Sequence, residues 1–250
     1  MLLLHGQPGG AQDWSRVTAE LAGRVRAIAI DRPGWDGHSP PADLQGNVRA
    51  AVATLDRCRV ERATVVGHSL GAAIAAWLAA HHRSRVAGLV LVSPAANLAA
   101  IDAVDRLLAA PVVGDLTSAA SLTGLGVALA VPGLRRRIAA ASGISDRYLM
   151  VAGRTLLTPW ARRSFLAEQR WLVHDMPALE RALPQIGAPT TILSGAEDRI
   201  VHPAATRKLA TQIPGARHVV LERAGHLLPQ LHPGAVTDAI GLTLNQPSRL

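Results

Sequence analysis

Six short apolar runs mark the chain: LLL at 2–4, RVRAIAID at 24–31, RATVVG at 62–67, RVAGLVLVSP at 85–94, APTTILSG at 188–195 and ARHVVLERAG at 216–225. Their aliphatic and β-branched content, with Gly or Pro near most of their ends, predicts strands. Helical patterns fill 14–22, 44–58, 70–82, 203–213 and 233–244. Strands alternating with helices predict an α/β fold with a parallel, doubly wound sheet. The rhythm breaks from about 97 to 185, where helix-like segments and breakers follow one another without a strand. That stretch reads as a helical insertion between the fourth and fifth strands. The expected organisation is a core of residues 1–96 and 186–250 interrupted by a helical segment, 97–185.

Composition narrows the class. With 250 residues, 49% of them hydrophobic, the chain can bury one sizeable core. Charged residues are only 18%, too few for a disordered polyelectrolyte. The formal charge is +8, and its arginines are scattered except for Arg135–Arg137. Such a balance can favour nucleic acid or anionic membranes. No helix-turn-helix, zinc-finger or stacking-aromatic pattern accompanies it, so solvated arginine is expected and nucleic acid is not. Cys58 is the single cysteine, which rules out a disulfide within the chain and suits a reducing compartment. The opening MLLLHG lacks the basic start and long apolar run of a signal peptide. No uninterrupted apolar stretch reaches the roughly 18 residues that span a bilayer. A soluble cytoplasmic protein without stable membrane insertion is expected.

The stretch VVGHSLGAA, residues 65–73, puts a lone serine between a strand and a small-residue helix. Gly67-His68-Ser69-Leu70-Gly71 matches G-x-S-x-G. A strand turning directly into a helix forces its corner residue into an uncommon backbone conformation. Side chains two positions away would collide, so glycine is required there. The corner lifts the Ser69 hydroxyl clear of the backbone, and the helix aims free N–H groups at it. His68, the variable position of the motif, is expected to point away.

A serine hydroxyl needs a base, and the base needs a carboxylate to orient it. Of ten histidines, His226 has the best context, Ala224-Gly225-His226-Leu227 after the last strand. His5 is expected only to fix its glycine turn. Asp198 follows the fifth strand in Gly195-Ala196-Glu197-Asp198-Arg199. It is preferred to Glu197 because Asp three residues past a strand-ending glycine suits the orienting role. The chain order Ser69, Asp198, His226 is the one expected on a doubly wound sheet. Acyl transfer also needs donors for a tetrahedral oxyanion. The Leu70 amide is one candidate. The Gln7 amide, in the loop His5-Gly6-Gln7-Pro8-Gly9-Gly10, is the other, and the Gln7 carboxamide lies close enough in sequence to reach the same place.

Four segments together, LLLHGQPGG, DRPGWDGHS, VVGHSLGAA and GAEDRIV…AGHLLP, resemble the α/β-hydrolase superfamily, and within it the enzymes with a helical cap. The resemblance implies a serine hydrolase with Ser69, Asp198 and His226 as its triad, the Gln7 and Leu70 amides as oxyanion donors, and 97–185 as the cap. DRPGWDGHS is one residue longer than the family's usual loop, which would reshape the wall near Trp35. The family's two N-terminal strands have no counterpart, leaving 24–31 as an open edge. Two explanations stand equal: the sequence is a piece of a longer chain, or a terminal segment or partner, such as a second copy meeting that edge or the cap, covers it.

Serine at the elbow argues against dehalogenases and epoxide hydrolases, which use Asp there. Hydrolysis of carboxylic esters of small to medium hydrophobic substrates leads, with neither cofactor nor metal expected. Carbon–carbon hydrolysis of a ring-fission diketone is the alternative, favoured if Arg154, Arg162 or Arg163 of the cap faces the pocket. A cofactor-free perhydrolase or acyltransferase would use the same site, and a binding protein with an inert triad is the non-enzyme reading. Trp14, Trp35, Trp160, Trp171 and Met176 are the candidates for lining the pocket, with core packing the leading reading for any one of them. The cap segment LTGLGVALAVPGLRRR is expected to pack over an apolar pocket, its alternative being contact with lipid.

Overall fold

A computed structural model describes residues 1–246 of the chain. Its centre is a six-stranded, wholly parallel sheet: β1 (Leu2–Leu4), β2 (Ile28–Ile30), β3 (Ala63–His68), β4 (Val86–Val92), β5 (Thr190–Gly195) and β6 (Arg217–Leu221), in the order β2-β1-β3-β4-β5-β6. All six expected strands form, several shorter than their apolar runs. β2 keeps only three residues because its one neighbour, β1, pairs just Leu2 to Leu4 with Ile28 to Ile30. It is the sheet edge, as expected, and a short edge strand limits edge-to-edge pairing.

Strand side chains alternate between two cores, as the pleat requires. Leu2, Leu4 and Val65 face one side, under helices α2 (Leu44–Arg57) and α3 (Leu70–His81) and α9 (Pro203–Gln212). Leu3 and Val66 face the other, under α1 (Ser15–Leu21) and α11 (Pro233–Leu244). Helix α3 is buried almost all round, and its alanines let it lie close to the sheet. A four-residue helix, α10 (Leu228–Leu231), escaped the sequence reading. It is too short to show a period.

Between β4 and β5 the chain is helical, as anticipated: α4 (Ala103–Ala109), α5 (Val113–Ala130), α6 (Pro132–Ser142), α7 (Asp146–Leu156) and α8 (Pro159–Ala182). Local chemistry sets the boundaries. Ser145 and Thr158 cap α7 and α8 through the Tyr148 and Ala161 amides, and Pro at N1 starts α6 and α8. Leu122, Leu129, Ile144, Leu149 and Leu156 form a small core of these helices' own. The second half of α8 leaves that core, and its Trp171, Leu172, Met176 and Leu179 join the cluster over the sheet. Of the expected 186–250 segment, residues 247–250 lie outside the described residues.

Candidate active site

The corner between β3 and α3 has the geometry its sequence demands. Ser69 sits at φ 54°, ψ −120°, a conformation that costs a non-glycine residue about 1–3 kcal/mol. Three backbone hydrogen bonds hold it: its N–H donates to Val92 O at 2.9 Å, and its carbonyl accepts from Ala72 N at 3.0 Å and Ala95 N at 3.2 Å. A Cβ on Gly67 would lie 2.4 Å from Gly71 O, and one on Gly71 2.4 Å from His5 O. Both glycines are therefore needed for close approach.

His226, in the loop after β6, brings Nδ1 to 2.8 Å from Asp198 Oδ2. The other carboxylate oxygen accepts from the Ile200 and Val201 amides, both at 2.9 Å. Burial opposes the Asp198 charge, but the His226 hydrogen bond and charge and these two amides outweigh it and hold the carboxyl below its ordinary range. A carboxylate so placed fixes the tautomer, putting the proton on Nδ1 and a lone pair on Nε2. Ser69 and His226 line the same cavity.

The Gln7 and Leu70 amides have no hydrogen-bond partner among the described residues, and both residues line the space beside Ser69. The Gln7 carboxamide does not reach in. It donates to Phe165 O at 2.7 Å and ties the loop to α8.

That loop is held by a group the sequence reading missed. Arg32, 1% exposed, donates to His5 O at 3.0 Å and Gly6 O at 2.9 Å and forms a buried ion pair with Glu168 of α8. His5 completes the frame: Nε2 accepts from Arg32 N at 3.1 Å, so Nδ1 carries the proton and donates to Gly6 O at 2.8 Å. Burial, then the Arg32 charge, keeps this imidazole neutral. Its expected role of fixing the turn is the one it has. The Arg32–Glu168 pair spans 136 residues and leaves no local pattern.

Two cavities of about 340 and 270 Å³ meet at Ser69, and Gln7, Ser69 and Ile200 line both. The first adds Leu70, Asp102, Asp105, Phe165 and Arg199. The second adds His226, Asp13 and Tyr148 beside apolar residues of α5 to α7.

The expectation for His68 is corrected, and the pocket role offered for five large side chains gives way to the packing role that led for each. His68 does not point away: it lines the second cavity, and its Nε2 donates to His226 O at 3.0 Å. Burial, then the nearby His226, lowers its pKa to about 3, so it stays neutral. Trp14, Trp35, Trp160, Trp171 and Met176 line neither cavity. Trp14 is buried beneath the sheet edge-on to His68, and Trp35 packs edge-on against His5 and Trp160. Trp171 and Met176 belong to the main core. Large side chains gain most from complete burial, and the apolar part of the second cavity is walled by the aliphatic Leu125, Leu129, Ile138, Ile144, Leu149 and Leu156 instead.

The family whose profile matches residues 1–239 is described as "Alpha/beta hydrolase family". The chain belongs to the alpha/beta hydrolase family. It is 29% identical over 254 residues to a 2-hydroxymuconate semialdehyde hydrolase of Pseudomonas sp. (strain CF600), covering 96% of this chain and 85% of that one. It is 29% identical over 233 residues to a pimeloyl-[acyl-carrier protein] methyl ester esterase of Neisseria meningitidis serogroup C, covering 90% and 85%. A thermophilic esterase from Thermogutta terrifontis shares the fold, with a TM-score of 0.69, 23% identity and coverage of 97% and 88%.

Proposed function

We propose that this alpha/beta hydrolase cleaves carboxylic esters of small to medium hydrophobic substrates through an acyl-enzyme on Ser69. The observation that carries the reading is the hydrogen-bonded Asp198–His226 pair facing the same cavity as a serine in a strained corner. Ser69 Oγ attacks the ester carbonyl while His226 Nε2 takes its proton. The Gln7 and Leu70 amides receive the oxyanion. As the C–O bond to the alcohol breaks, His226 returns the proton to the leaving oxygen. Water then attacks the acyl-enzyme, giving its proton to His226, and Ser69 regains a proton as the acid departs. Residues 97–185 act as the cap that covers both cavities.

A second reading, hydrolysis of a carbon–carbon bond in a ring-fission diketone, is favoured by the likeness to the 2-hydroxymuconate semialdehyde hydrolase. The cavity linings weigh against it. Such substrates are anionic, yet Arg154, Arg162 and Arg163 line neither cavity, and the one lining arginine, Arg199, is set against Asp13, Asp102 and Asp105. Steady-state rates on aryl esters of increasing acyl length, beside a ring-fission diketone, decide the matter. Ester turnover exceeding diketone turnover by tenfold or more supports the proposal. The reverse order overturns it in favour of the second reading, and silence toward both removes the two together.

A further inference from the structure

Helix α5 is apolar on two opposite sides. Its 18 residues are long and apolar enough to cross a bilayer, yet only 28% of them are buried. Helix α3, also apolar, is buried almost all round. The buried side of α5 is Gly114, Ser118, Leu122, Gly126 and Leu129, one face by its spacing of three and four. That face closes tightly on α7: a Cβ on Gly153 would lie 2.6 Å from Leu129 Cβ. On the opposite side, at the same spacing, stand Val113, Leu116, Ala120, Gly124, Val127 and Val131. All six are exposed, Leu116 by 68% and Val127 by 52%. No charged residue occurs between Asp115 and Arg135. Of the fourteen large apolar side chains exposed among the described residues, eleven lie within 97–185. Apolar surface gathered on one face in this way marks an interaction site.

The flank of the stripe is basic. From 131 to 163 the chain has seven arginines and one acid, Asp146. Arg135 pairs with Asp146 at 2.8 Å. Arg136, Arg137, Arg147, Arg154, Arg162 and Arg163 are exposed, and none pairs with a carboxylate among the described residues. Arg136 and Arg137 stand on α6, five and six positions past Val131 and just beyond the exposed Leu134. A second copy docked on the stripe would set these uncompensated arginines against their own kind. An anionic lipid surface suits both features, its acyl region taking the apolar stripe and its headgroups the guanidinium groups. The packing of α5 on α7 holds the helix flat on such a surface, not across it.

We propose that the outer face of the cap, α5 with the start of α6, docks on an anionic bilayer surface. Val113, Leu116, Val127 and Val131 enter the acyl boundary, and Arg136 and Arg137 meet phosphate headgroups. Packing over a pocket and contact with lipid then fall on two sides of one helix. Leu125 of that helix is exposed and lines the second cavity, so docking brings that cavity close to lipid. The docking asks nothing of the chemistry at Ser69 and stands or falls apart from the ester reading.

The test is co-sedimentation of the whole protein with two kinds of vesicle, phosphatidylcholine alone and phosphatidylcholine with about 30% phosphatidylglycerol. The partition coefficient should be about tenfold or more higher on the anionic vesicles, and the excess should vanish at about 1 M salt, where the Debye length is about 3 Å. Leu116→Glu combined with Val127→Glu should lower binding to anionic vesicles about tenfold or more. Arg136→Gln combined with Arg137→Gln should lower it about tenfold and leave binding to neutral vesicles unchanged. All four side chains are exposed, so both variants should keep the wild-type Tm. The wild-type comparison needs no variant to fold. Binding to neither vesicle, or equal binding to both, overturns the proposal. So does undiminished binding by the glutamate variant. A wild-type dimer in sedimentation velocity that the glutamate variant renders monomeric also overturns it, and assigns the stripe to a second copy.

Discussion

At the scale of single residues, the strained corner and the buried polar groups make separate demands. If Ser69 is the nucleophile, Ser69→Ala and His226→Ala should each lower kcat for esters by about 10³-fold or more with KM little changed, as expected of groups acting in the transition state. Gly67→Ala would drive a Cβ to within 2.4 Å of Gly71 O, so it should lower Tm sharply or prevent folding, read by thermal denaturation. Asp13 makes a pH-dependent demand. Burial, opposed by the Tyr148 hydroxyl, the Gly10 amide and the Arg32 charge and aided by Asp31, raises its pKa from 3.8 to about 6. The folded protein therefore holds this proton more tightly than the unfolded chain does. The stabilisation is fully present below about pH 4 and is lost as pH rises to about 6, a change of roughly 3 kcal/mol. The difference in unfolding free energy between wild type and Asp13→Asn, measured by denaturant titration from pH 4 to 8, should shift toward the variant as pH rises through that window. A constant difference would contradict it. Much of this scale was open to reading from sequence. Ser69, Asp198 and His226 each stand beside a glycine or a strand end that betrays them. Asp13, Tyr148 and Gln230, joined by hydrogen bonds at the second cavity, do not, because their meeting depends on three segments separated by 135 and 82 positions.

At the scale of elements, α8 joins the two parts of the molecule. Its N-terminal half lies over the site and its C-terminal half packs into the main core, with Glu168 between them at the buried Arg32. Burial pushes the Glu168 carboxyl up, and Arg32 works against that rise. A buried pair adds little net stability, but leaving one member unpaired costs about 3–5 kcal/mol. Glu168→Ala should therefore destabilise the protein by about that amount in denaturant titration. Ester kcat should also fall, because Arg32 also holds the carbonyls of His5 and Gly6 ahead of the Gln7 amide. The element types were legible because an alternating pattern of apolar runs and longer helical stretches has few other solutions. The partition of α8 was not. Trp171 and Met176 read as core residues or pocket candidates alike, in a segment expected to lie outside the core, and the 24-residue length of the helix carries them into it.

At the scale of the whole molecule, a doubly covered parallel sheet supplies a rigid edge from which β3, β5 and β6 lead to Ser69, Asp198 and His226. The helices between β4 and β5 close two cavities over that edge, and their linings hold three aspartates to one arginine, Arg199. The overall charge of +8 thus says little about the ligand, because the site is locally acidic. The most direct measurement of the central claim is the intact mass of the folded protein after exposure to a fluorophosphonate, with the adduct located by peptide mapping. One adduct, on Ser69, absent from Ser69→Ala and formed far more slowly in Asp198→Asn, is the expected result. A folded protein that takes no label, or one labelled equally when Ser69 is replaced, would contradict it.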